Sequence, residues 1–490
     1  MQYISTRNKK TAVSAPDAII SGIAPDGGLY IPEAPVFDSF DWEALLSMDF
    51  QSQAERIFSF YFGELPELGA LVLKAYGPRF DTPEITPLVK TGDRYVLELF
   101  HGPTSAFKDV ALQALPLLLS AARKYQGSTN ETVILVATSG DTGKAALEGF
   151  KDVPGIRIIV FYPDGGVSRV QRAQMVTQEG MNVLSAAVRG NFDDTQTGVK
   201  KIFVREKAEG LPGTDAALSS ANSINIGRLV PQIVYYFKAY SELVKQGEIR
   251  KGDPVDFTVP TGNFGDILAG YLAMRMGLPV GKLVCASNQN DVLTEFLETG
   301  TYDRNRPFYR TTSPSMDILV SSNLERLLSF LTEEGDEPVE SLMKKLNETG
   351  VYTVSERLFK KLKALFDCGA CTEQETVETI RKVYEQEHYL LDPHTAVGWH
   401  VADGFLQKTC HARPNVVLST ASPYKFPEAV LNALGVSHGA DEFEMMRLLH
   451  EYTGVPVPEN LASLQGKKER FLDVVEKDEM YDYVVKQLGK

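Results

Sequence analysis

Several features that would set this chain apart from ordinary globular enzymes are missing from its sequence. Its 490 residues contain only four cysteines, too few for a disulfide framework in a chain of this length. No apolar run approaches the ~18 residues that a membrane-spanning helix requires, and no signal-peptide-like apolar segment follows the first charged residues. We therefore expect a reduced, soluble, cytoplasmic protein without a membrane partner.

The chain also lacks an excess of positive charge. Lys and Arg total 50 against 64 Asp and Glu, which gives a formal net charge of −14. A nucleic-acid partner needs a basic face, so none is expected, although a local pocket can still bind a small anion. Hydrophobic residues make up 43% of the chain and charged residues 23%, as in other globular proteins. The length predicts two or three domains, at roughly 100–200 residues each.

Cys368 and Cys371 form a CxxC pair, a spacing found in metal and redox sites. A structural zinc site needs four ligands, but the other two cysteines are isolated in the sequence. The seven histidines show no HExxH spacing either. Thr372 and Glu375 instead predict a capping box at the start of a helix. We therefore predict neither a metal site nor redox chemistry.

Short apolar segments alternate with segments of helical period along most of the chain. Strands are predicted at residues 95–99, 132–137, 156–161, 256–259, 282–286 and 416–418, and helices at 42–48, 53–62, 107–124, 142–150 and 267–276. This alternation predicts an α/β fold with mostly parallel sheets. The charged segment 332–387 has helical period, and we assign it to a solvated outer layer.

Small residues and glycines fill the turn after the strand at 132–137. In open α/β sheets, ligands bind at such turns, where small residues let the backbone approach a carboxylate or phosphate. The pair Gly143-Lys144 superficially resembles a P-loop, but Ala145 stands where Ser or Thr must bind magnesium, which disfavours a nucleotide-binding protein. A purely structural turn is the other alternative. The candidate ligand-binding residues are Thr138, Ser139, Gly140, Asp141 and Thr142.

A second glycine-rich turn follows the strand at 256–259 and precedes a helix. Gly262 and Gly265 flank Asn263, a residue that tolerates left-handed backbone, and Phe264. Such a turn forms a concave backbone nest at a helix N-terminus and suits a phosphate monoester. A tight turn without a ligand is the alternative.

The third turn, at residues 101–109, ends with Lys108 in the first turn of a predicted helix. A lysine at the positive end of a helix dipole is electrostatically misplaced. The placement makes sense if the amine is neutral or is used as an imine. The alternative is a lysine whose ammonium group lies in solvent.

These three turns, together with residues 420–426, resemble threonine synthase, a family of fold type II pyridoxal phosphate enzymes. Residues 3–7, 190–194, 220–225, 313–317 and 391–398 agree with the family in order and spacing, so the resemblance spans nearly the whole chain. It implies an α/β fold with two doubly wound lobes of the tryptophan synthase β-like architecture, plus an N-terminal domain. The domains implied are 1–92 (N-terminal), 93–130 with 245–490 (large, cofactor-binding) and 131–244 (small).

The resemblance also implies roles for individual residues. Lys108 carries pyridoxal 5'-phosphate as a Schiff base and then moves protons. Thr420 binds the pyridine nitrogen, and Asp141 lies near the ring hydroxyl. The cofactor phosphate is held by Gly262, Asn263, Phe264 and Gly265. The substrate carboxylate is held by Thr138, Ser139, Gly140 and Thr142, and the substrate phosphate by Arg228 with Ser168, Gln171, Asn222 and Ser223.

The implied reaction converts O-phospho-L-homoserine and water to L-threonine and phosphate, the last step of threonine biosynthesis, in a monomer or homodimer. Two departures leave the details of the substrate-phosphate pocket open: Gly166 stands where many members have Lys, and Ser422 where many have His. A phospho-lyase that releases 2-oxobutyrate and ammonia is the nearest alternative. A catalytically inactive relative that acts as a binding protein is another, but it predicts the loss of Lys108 or of the 262–265 nest, and both are intact.

Overall fold

The computed structural model describes residues 1–33, 37–138, 140–410 and 412–489. Within these ranges, no helix has both the length and the apolar character needed to cross a membrane. The strands are β1 Gln2–Ser5, β2 Ala12–Ser14, β3 Tyr30–Pro32, β4 Leu88–Thr91, β5 Arg94–Glu98, β6 Thr132–Ala137, β7 Ile156–Pro163, β8 Val183–Arg189, β9 Ala217–Ser219, β10 Val255–Pro260, β11 Val280–Ser287, β12 Thr301–Asp303, β13 Val351–Thr353, β14 Phe366–Ala370, β15 Asn415–Ser419 and β16 Val474–Glu476.

The α-helices alternate with the strands through the two larger sheets. They are α1 Ala15–Ser21, α2 Phe50–Phe62, α3 Leu68–Ala75, α4 Lys108–Leu112, α5 Leu115–Tyr125, α6 Asp141–Phe150, α7 Arg169–Val176, α8 Phe192–Glu209, α9 Ile226–Leu229, α10 Ile233–Lys245, α11 Gly265–Arg275, α12 Val292–Thr299, α13 Leu324–Leu331, α14 Val339–Glu348, α15 Glu356–Leu365, α16 Glu373–Glu387, α17 Pro393–Thr409, α18 Pro427–Leu434, α19 Glu442–Thr453, α20 Glu459–Ala462 and α21 Met480–Leu488. Short 3-10 turns lie at Phe37–Ser39, Glu43–Ser47, Val230–Gln232, Pro314–Met316, Pro423–Lys425 and Lys477–Glu479.

The larger sheet has six strands in the order β14-β11-β10-β15-β5-β4. Its pairs are parallel except for the antiparallel edge pair β4–β5. Every residue of the central strand β10 is buried, as expected where helices cover both faces of a parallel sheet. The carboxyl ends of β10 and β15 lead directly into the turn at 261–264 and the loop at 420–422.

The second sheet has five strands in the order β16-β8-β7-β6-β9, and all of its pairs are parallel. Strand β6 is the apolar run predicted at 132–137, and its carboxyl end leads into the turn before α6. The C-terminal strand β16 pairs with β8, and α21 packs on α8. The end of the chain, which the sequence assigned to the large lobe, thus adds to the second sheet. The domain limits themselves remain a prediction.

The N-terminal residues form a separate antiparallel sheet in the order β2-β1-β3, beside helices α1 to α3. Its core is aromatic, and helix α2 packs on α10 with Phe50, Phe58 and Tyr61 fully buried. The tyrosine hydroxyls in this core are satisfied, since Tyr3 donates to the Tyr61 carbonyl oxygen at 2.9 Å. The two larger sheets confirm the α/β class with mostly parallel strands.

Two predictions of secondary structure are wrong in part. The single helix predicted over 107–124 is divided into α4 and α5, because Pro116 has no N–H to donate to the Leu112 carbonyl. That carbonyl lies against Gly149, where any side chain would collide with it. The segment 332–387, predicted to be helical and outside the sheets, contains β13 and also β14, which forms the edge of the six-stranded sheet. Pairing of β14 with β11 overrides the local helical pattern.

Candidate active site

Lys108 is placed by a short pairing between the two loops that enclose it. Ala106 and Ala421 form an antiparallel bridge, the Phe107 N–H donates to the Thr420 carbonyl at 2.8 Å, and the Ser422 N–H donates to the Ser105 carbonyl at 3.1 Å. Helix α4 begins at Lys108 itself, as predicted. The segments 101–109 and 420–426, far apart in sequence, therefore form one wall of the site.

The Lys108 amine lies between a hydroxyl and a carboxylate. Its Nζ donates to Ser315 Oγ at 3.1 Å and is 3.9 Å from Asp141 Oδ2. The residue is only 9% exposed. Burial lowers the pKa of Lys108 to about 8, with the charges of Lys425 and Arg228 acting in the same direction and that of Asp141 opposing them. About a tenth of the amine is consequently uncharged at pH 7, far more than for an ordinary lysine.

Asp141 connects this amine to a second cation. Lys425 Nζ lies 2.8 Å from Asp141 Oδ1, and Gln171 Nε2 donates to the same oxygen at 3.0 Å. Burial would raise the pKa of Asp141, but the charges of Lys425 and Lys108 hold it well below its usual range. Asp141 is therefore ionised beside Lys108.

A buried histidine supports the other side of Lys108. The Ser315 N–H donates to His394 Nε2 at 3.2 Å, and Asp392 Oδ1 is 2.8 Å from His394 Nδ1. Because Nε2 accepts a hydrogen bond in this arrangement, Nδ1 carries the hydrogen and donates to Asp392. Asp392 is also the N-cap residue of α17. The backbone of Ser315 is thus held by a helix N-terminus through His394.

The turn at 262–265 opens helix α11 without a capping side chain. The first N–H groups of a helix have no partner within it, so these amides are free to bind an anion. Phe264, with φ of 61°, takes the left-handed conformation, although its neighbour Asn263 is the residue type that tolerates it better. A Cβ at Gly262 would lie 2.6 Å from the Ser315 carbonyl oxygen. Only glycine fits where this turn meets the loop that bears Ser315.

The next residue, Asp266, places a carboxyl group in the same helix turn. The hydroxyls of Tyr235 and Tyr236 donate to its Oδ1 at 2.5 and 3.2 Å, while its Oδ2 is buried and has no hydrogen-bond partner among the described residues. Burial raises the pKa of Asp266 to about 7. A carboxyl that keeps its proton repels a neighbouring phosphate less than a carboxylate does, which makes the uncapped amides of α11 compatible with an anion.

Arg228 is buried on α9, with 4% of its surface exposed. Its Nη1 donates to the Ala221 carbonyl at 2.9 Å, but its Nε has no partner among the residues that the structure describes. Burial lowers the pKa of Arg228 to about 10, so the group remains charged. A buried cation with an unused donor is unusual in a folded protein and suits an anionic ligand. Ser223 lies near it in the chain, and its carbonyl accepts from Asn323 Nδ2 at 3.2 Å.

The remaining residues predicted from the sequence differ in their placement. Thr138 Oγ1 accepts from the N–H groups of Gly140 and Gly143 at 3.0 and 2.9 Å, so this hydroxyl shapes the turn before α6. Gly140 has φ of 140° and lies against the Gln171 side chain. Thr142 is half-buried in the first turn of α6, and Asn222 is half-buried before α9. Ser139 lies outside the described residues.

Helix α7 contributes Gln171 to the site, whereas Ser168 serves the helix itself. The Ser168 hydroxyl accepts from the Gln171 N–H in a capping box. The side-chain amide of Gln171 donates to the Asp141 carboxylate. Sequence reasoning gave no role to Lys425, Ser315 or His394, although each lies in a segment that carried the family resemblance.

The two CxxC thiols contact different residues, Cys368 the Thr294 carbonyl and Cys371 the Thr376 hydroxyl. Cys368 is paired in register with Cys285 between β14 and β11. Cys371, Glu375 and His400 do bring donor atoms within 4.8 Å of one another. However, Glu375 forms the predicted capping box, and burial raises the pKa of the Cys371 thiol to about 12. Since metals bind the thiolate, we assign this group no role.

Family models match three parts of the chain, of which the second and third along the sequence overlap. Residues 81–421 match the pyridoxal-phosphate dependent enzymes, residues 2–76 the threonine synthase N terminus, and residues 395–484 the threonine synthase C-terminal region. Threonine synthase of Pseudomonas aeruginosa is 41% identical over 484 residues, covering 95% of this chain and 97% of that protein. The chain belongs to the threonine synthase family.

Other relatives and solved structures agree. Threonine synthase of Saccharomyces cerevisiae is 37% identical over the whole of this chain and 98% of its own. The human protein named threonine synthase-like 1 is 39% identical over 96% of this chain, which spans 65% of that longer relative. The crystal structure of the yeast threonine synthase matches with a TM-score of 0.89 at 36% identity, covering 100% of this chain and 99% of that one. The pyridoxal-phosphate-bound threonine synthase of Brucella melitensis matches with 0.87 at 38%, covering 99% of each chain.

These matches confirm the family, the fold type II architecture with its N-terminal domain, and pyridoxal phosphate as the cofactor. The residues present fit that cofactor in this structure. A buried amine of lowered pKa, an uncapped helix N-terminus and a glycine that admits no side chain lie around the same loops.

Proposed function

We propose that this protein is a threonine synthase that converts O-phospho-L-homoserine and water to L-threonine and phosphate. The observation that carries the proposal is the Lys108 amine, buried between Ser315 and Asp141 where the loops after β5, β6 and β10 meet. Membership of the threonine synthase family supports the same reaction and a small-molecule substrate. Cytoplasmic location, and a monomeric or homodimeric state, remain predictions.

The family's cofactor fits among residues from three turns. Lys108 is the residue that would hold it covalently, the amides of Gly262, Asn263, Phe264 and Gly265 would bind its phosphate, and Thr420 would bind its ring nitrogen. When bound, pyridoxal phosphate supplies an electron sink that makes protons next to the substrate amino group acidic. Asp141 is ionised and would face the ring hydroxyl from the start of α6.

Lys108 is suited to take and return those protons. A base must be uncharged at the working pH, and a lysine pKa of about 8 meets that condition for a fraction of the molecules near neutrality. Ser315 Oγ, 3.1 Å from Lys108 Nζ, orients the amine. His394 fixes the backbone of Ser315, so a lysine with several rotatable bonds is held in one direction.

The substrate phosphate would bind at Arg228, whose Nε has no partner in the described part of the chain. Asn222 and Ser223 precede it in the same segment, and Gln171 joins the pocket from α7 through Asp141. The turn at 138–142 would hold the substrate carboxylate through its amides, since the Thr138 hydroxyl already accepts two N–H bonds. Burial of Lys108, Asp141 and Arg228 limits the access of water before the phosphate leaves.

Product analysis tests this function. Purified protein with added pyridoxal phosphate should convert O-phospho-L-homoserine to threonine with one phosphate released per threonine, as measured by mass spectrometry and phosphate assay. L-homoserine, which lacks the phosphate, is the matched control and should give no product. Formation of 2-oxobutyrate and ammonia instead would move the protein to the phospho-lyases, and no turnover of the phosphorylated substrate would contradict the proposal.

A further inference from the structure

Lys425 is a second buried ammonium group beside Lys108, and a separate part of the chain contributes it. Its side chain is completely buried, and its Nζ lies 2.8 Å from Asp141 Oδ1 and 3.0 Å from the Thr104 carbonyl oxygen. A lysine is rarely placed so deep in a protein unless its charge has a fixed partner. Nothing in the proposed reaction so far uses this group.

Two lysines share the carboxylate of Asp141, but unequally. Lys425 contacts Oδ1 at 2.8 Å, whereas Lys108 is 3.9 Å from Oδ2 and donates instead to Ser315 at 3.1 Å. At 2.8 Å the pair has the length of a charge-assisted hydrogen bond, and at 3.9 Å it does not. Lys425 is therefore the tight partner of Asp141.

The fixed position of Lys425 follows from its anchoring. Ser422 caps the 3-10 turn that carries it, and the Ser422 N–H donates to the Ser105 carbonyl in the loop that leads to Lys108. The Thr104 carbonyl, which accepts from Lys425, belongs to the same loop. Lys108 at the start of α4 and Lys425 in its 3-10 turn are thus held on two bonded loops, and both approach the carboxylate of Asp141.

We propose that Lys425 is a positioning residue: as the permanent ion-pair partner of Asp141, it prevents that carboxylate from capturing the Lys108 amine. Lys108 is then left available for the cofactor and for proton transfer. The use of Lys108 for the cofactor and for proton transfer rests on the proposed function. The pairing that keeps Asp141 from Lys108 does not.

The charges that act on Lys108 come from each element around it. Asp141 on α6, Asp109 on α4 and Asp266 on α11 are the acidic groups, while Lys425 and Arg228 are the basic ones. His394 lies beside Ser315 and Asp141. Removing Lys425 takes away a positive charge and also frees Asp141 to pair with Lys108, so both effects favour the charged form of Lys108. Removing the Asp141 charge has the opposite effect.

The test is the pH dependence of Lys108 reactivity in the full-length protein after the cofactor has been removed with hydroxylamine. Trace acetic anhydride labels uncharged amines, and peptide mass spectrometry compares Lys108 with Lys360, whose side chain is 74% exposed. Lys425→Met should move the midpoint upward from about 8 toward the ordinary lysine value of 10.5. Labelling of Lys108 at pH 7 should then fall about tenfold or more, since one pH unit is a tenfold change in the uncharged fraction.

Matched variants distinguish this role from a nonspecific disturbance of the folded structure. Asp141→Asn should lower the midpoint, Lys425→Arg should leave it near that of the parent, and the double variant K425M/D141N should lie between the two single variants. Lys238→Met is the control, because Lys238 is also buried in a 2.7 Å ion pair, with Glu242, but does not act on Lys108.

An unchanged or lowered midpoint in a folded Lys425→Met protein would overturn the proposal. So would a shift of Lys425→Met and Asp141→Asn in the same direction. If Lys425→Met does not fold, Lys425→Gln takes its place, because it also removes the charge but keeps a polar side chain: a raised midpoint supports the role, and an unchanged or lowered midpoint rejects it. Because the labelling needs no turnover, a failure of the proposed reaction does not affect the result.

Discussion

Replacing the buried guanidinium of Arg228 should weaken ligand binding strongly but change the stability of the ligand-free protein little. One of the guanidinium nitrogens donates to the Ala221 carbonyl, and the Nε donates to no acceptor in the described ranges. A phosphate bound there would supply the missing acceptor and the opposite charge. Losing one partner of a buried, hydrogen-bonded charge pair costs about 3 kcal/mol or more. Arg228→Met should therefore weaken substrate binding about a hundredfold, at about 1.4 kcal/mol for each factor of ten.

The same substitution should barely affect the free energy of unfolding of the ligand-free protein, because it removes an incompletely paired buried charge. Arg326 is the matched comparison, since all of its nitrogens donate: Nε to the Tyr30 carbonyl at 3.0 Å, and the other two to Asn323 and to the Ile224 carbonyl. Arg326→Met leaves those acceptors unpaired and should lower the melting temperature clearly.

The assay combines calorimetric melting with titration of O-phospho-L-homoserine by isothermal calorimetry. Titration in a Lys108→Ala background prevents turnover, so the dissociation constant is measured directly. The reasoning is refuted if Arg228→Met binds the substrate within about threefold of its parent, a difference of less than about 0.7 kcal/mol. It is refuted equally if Arg228→Met melts as low as Arg326→Met.

Two further predictions concern the turn at the start of α11. Gly262→Ala places a Cβ 2.6 Å from the Ser315 carbonyl oxygen and should lower the ratio of bound cofactor to protein. Gly404→Ala is the control and should not lower it, because no neighbouring atom of the described residues lies within 4 Å of the added Cβ. Equal ratios in the two variants would contradict the close fit at Gly262. Burial raises the pKa of Asp266 to about 7 from an ordinary 3.8, so the folded state holds this proton more tightly than the unfolded state, and stability should fall as the pH rises between these values. Asp266→Asn should flatten that fall in a pH series of melting temperatures, and an unchanged slope would show that the group is not buried as described.

Local pattern was sufficient for the strands in the interior of the sheets. The run 132–137 is apolar after Thr132 and ends at a glycine-rich turn, and the structure places β6 at those residues. The start of α4 at Lys108 followed in the same way from the Gly-Pro and Thr-Ser residues before it. Buried parallel strands and helix starts have signals that depend only on neighbouring residues.

Elements whose stability comes from distant parts of the chain were not predictable in this way. Strand β14 has only five residues, in a charged segment, and exists because β11 offers a free edge. The left-handed conformation falls on Phe264 because its ring is buried against Phe366, at 5.8 Å between centroids, although Asn263 is intrinsically better suited. Lys425 has no local signal at all, since only the folded chain brings it to Asp141.

The central claim is that Lys108 is the residue that holds the cofactor, and borohydride reduction tests it most directly. The full-length protein, incubated with pyridoxal phosphate and reduced with sodium borohydride, should yield one peptide bearing a stable cofactor adduct on Lys108, as identified by tandem mass spectrometry. The adduct should be absent from Lys108→Ala and retained in Lys238→Met. An adduct on Lys425 or another lysine, or an adduct that persists in Lys108→Ala, would contradict the account.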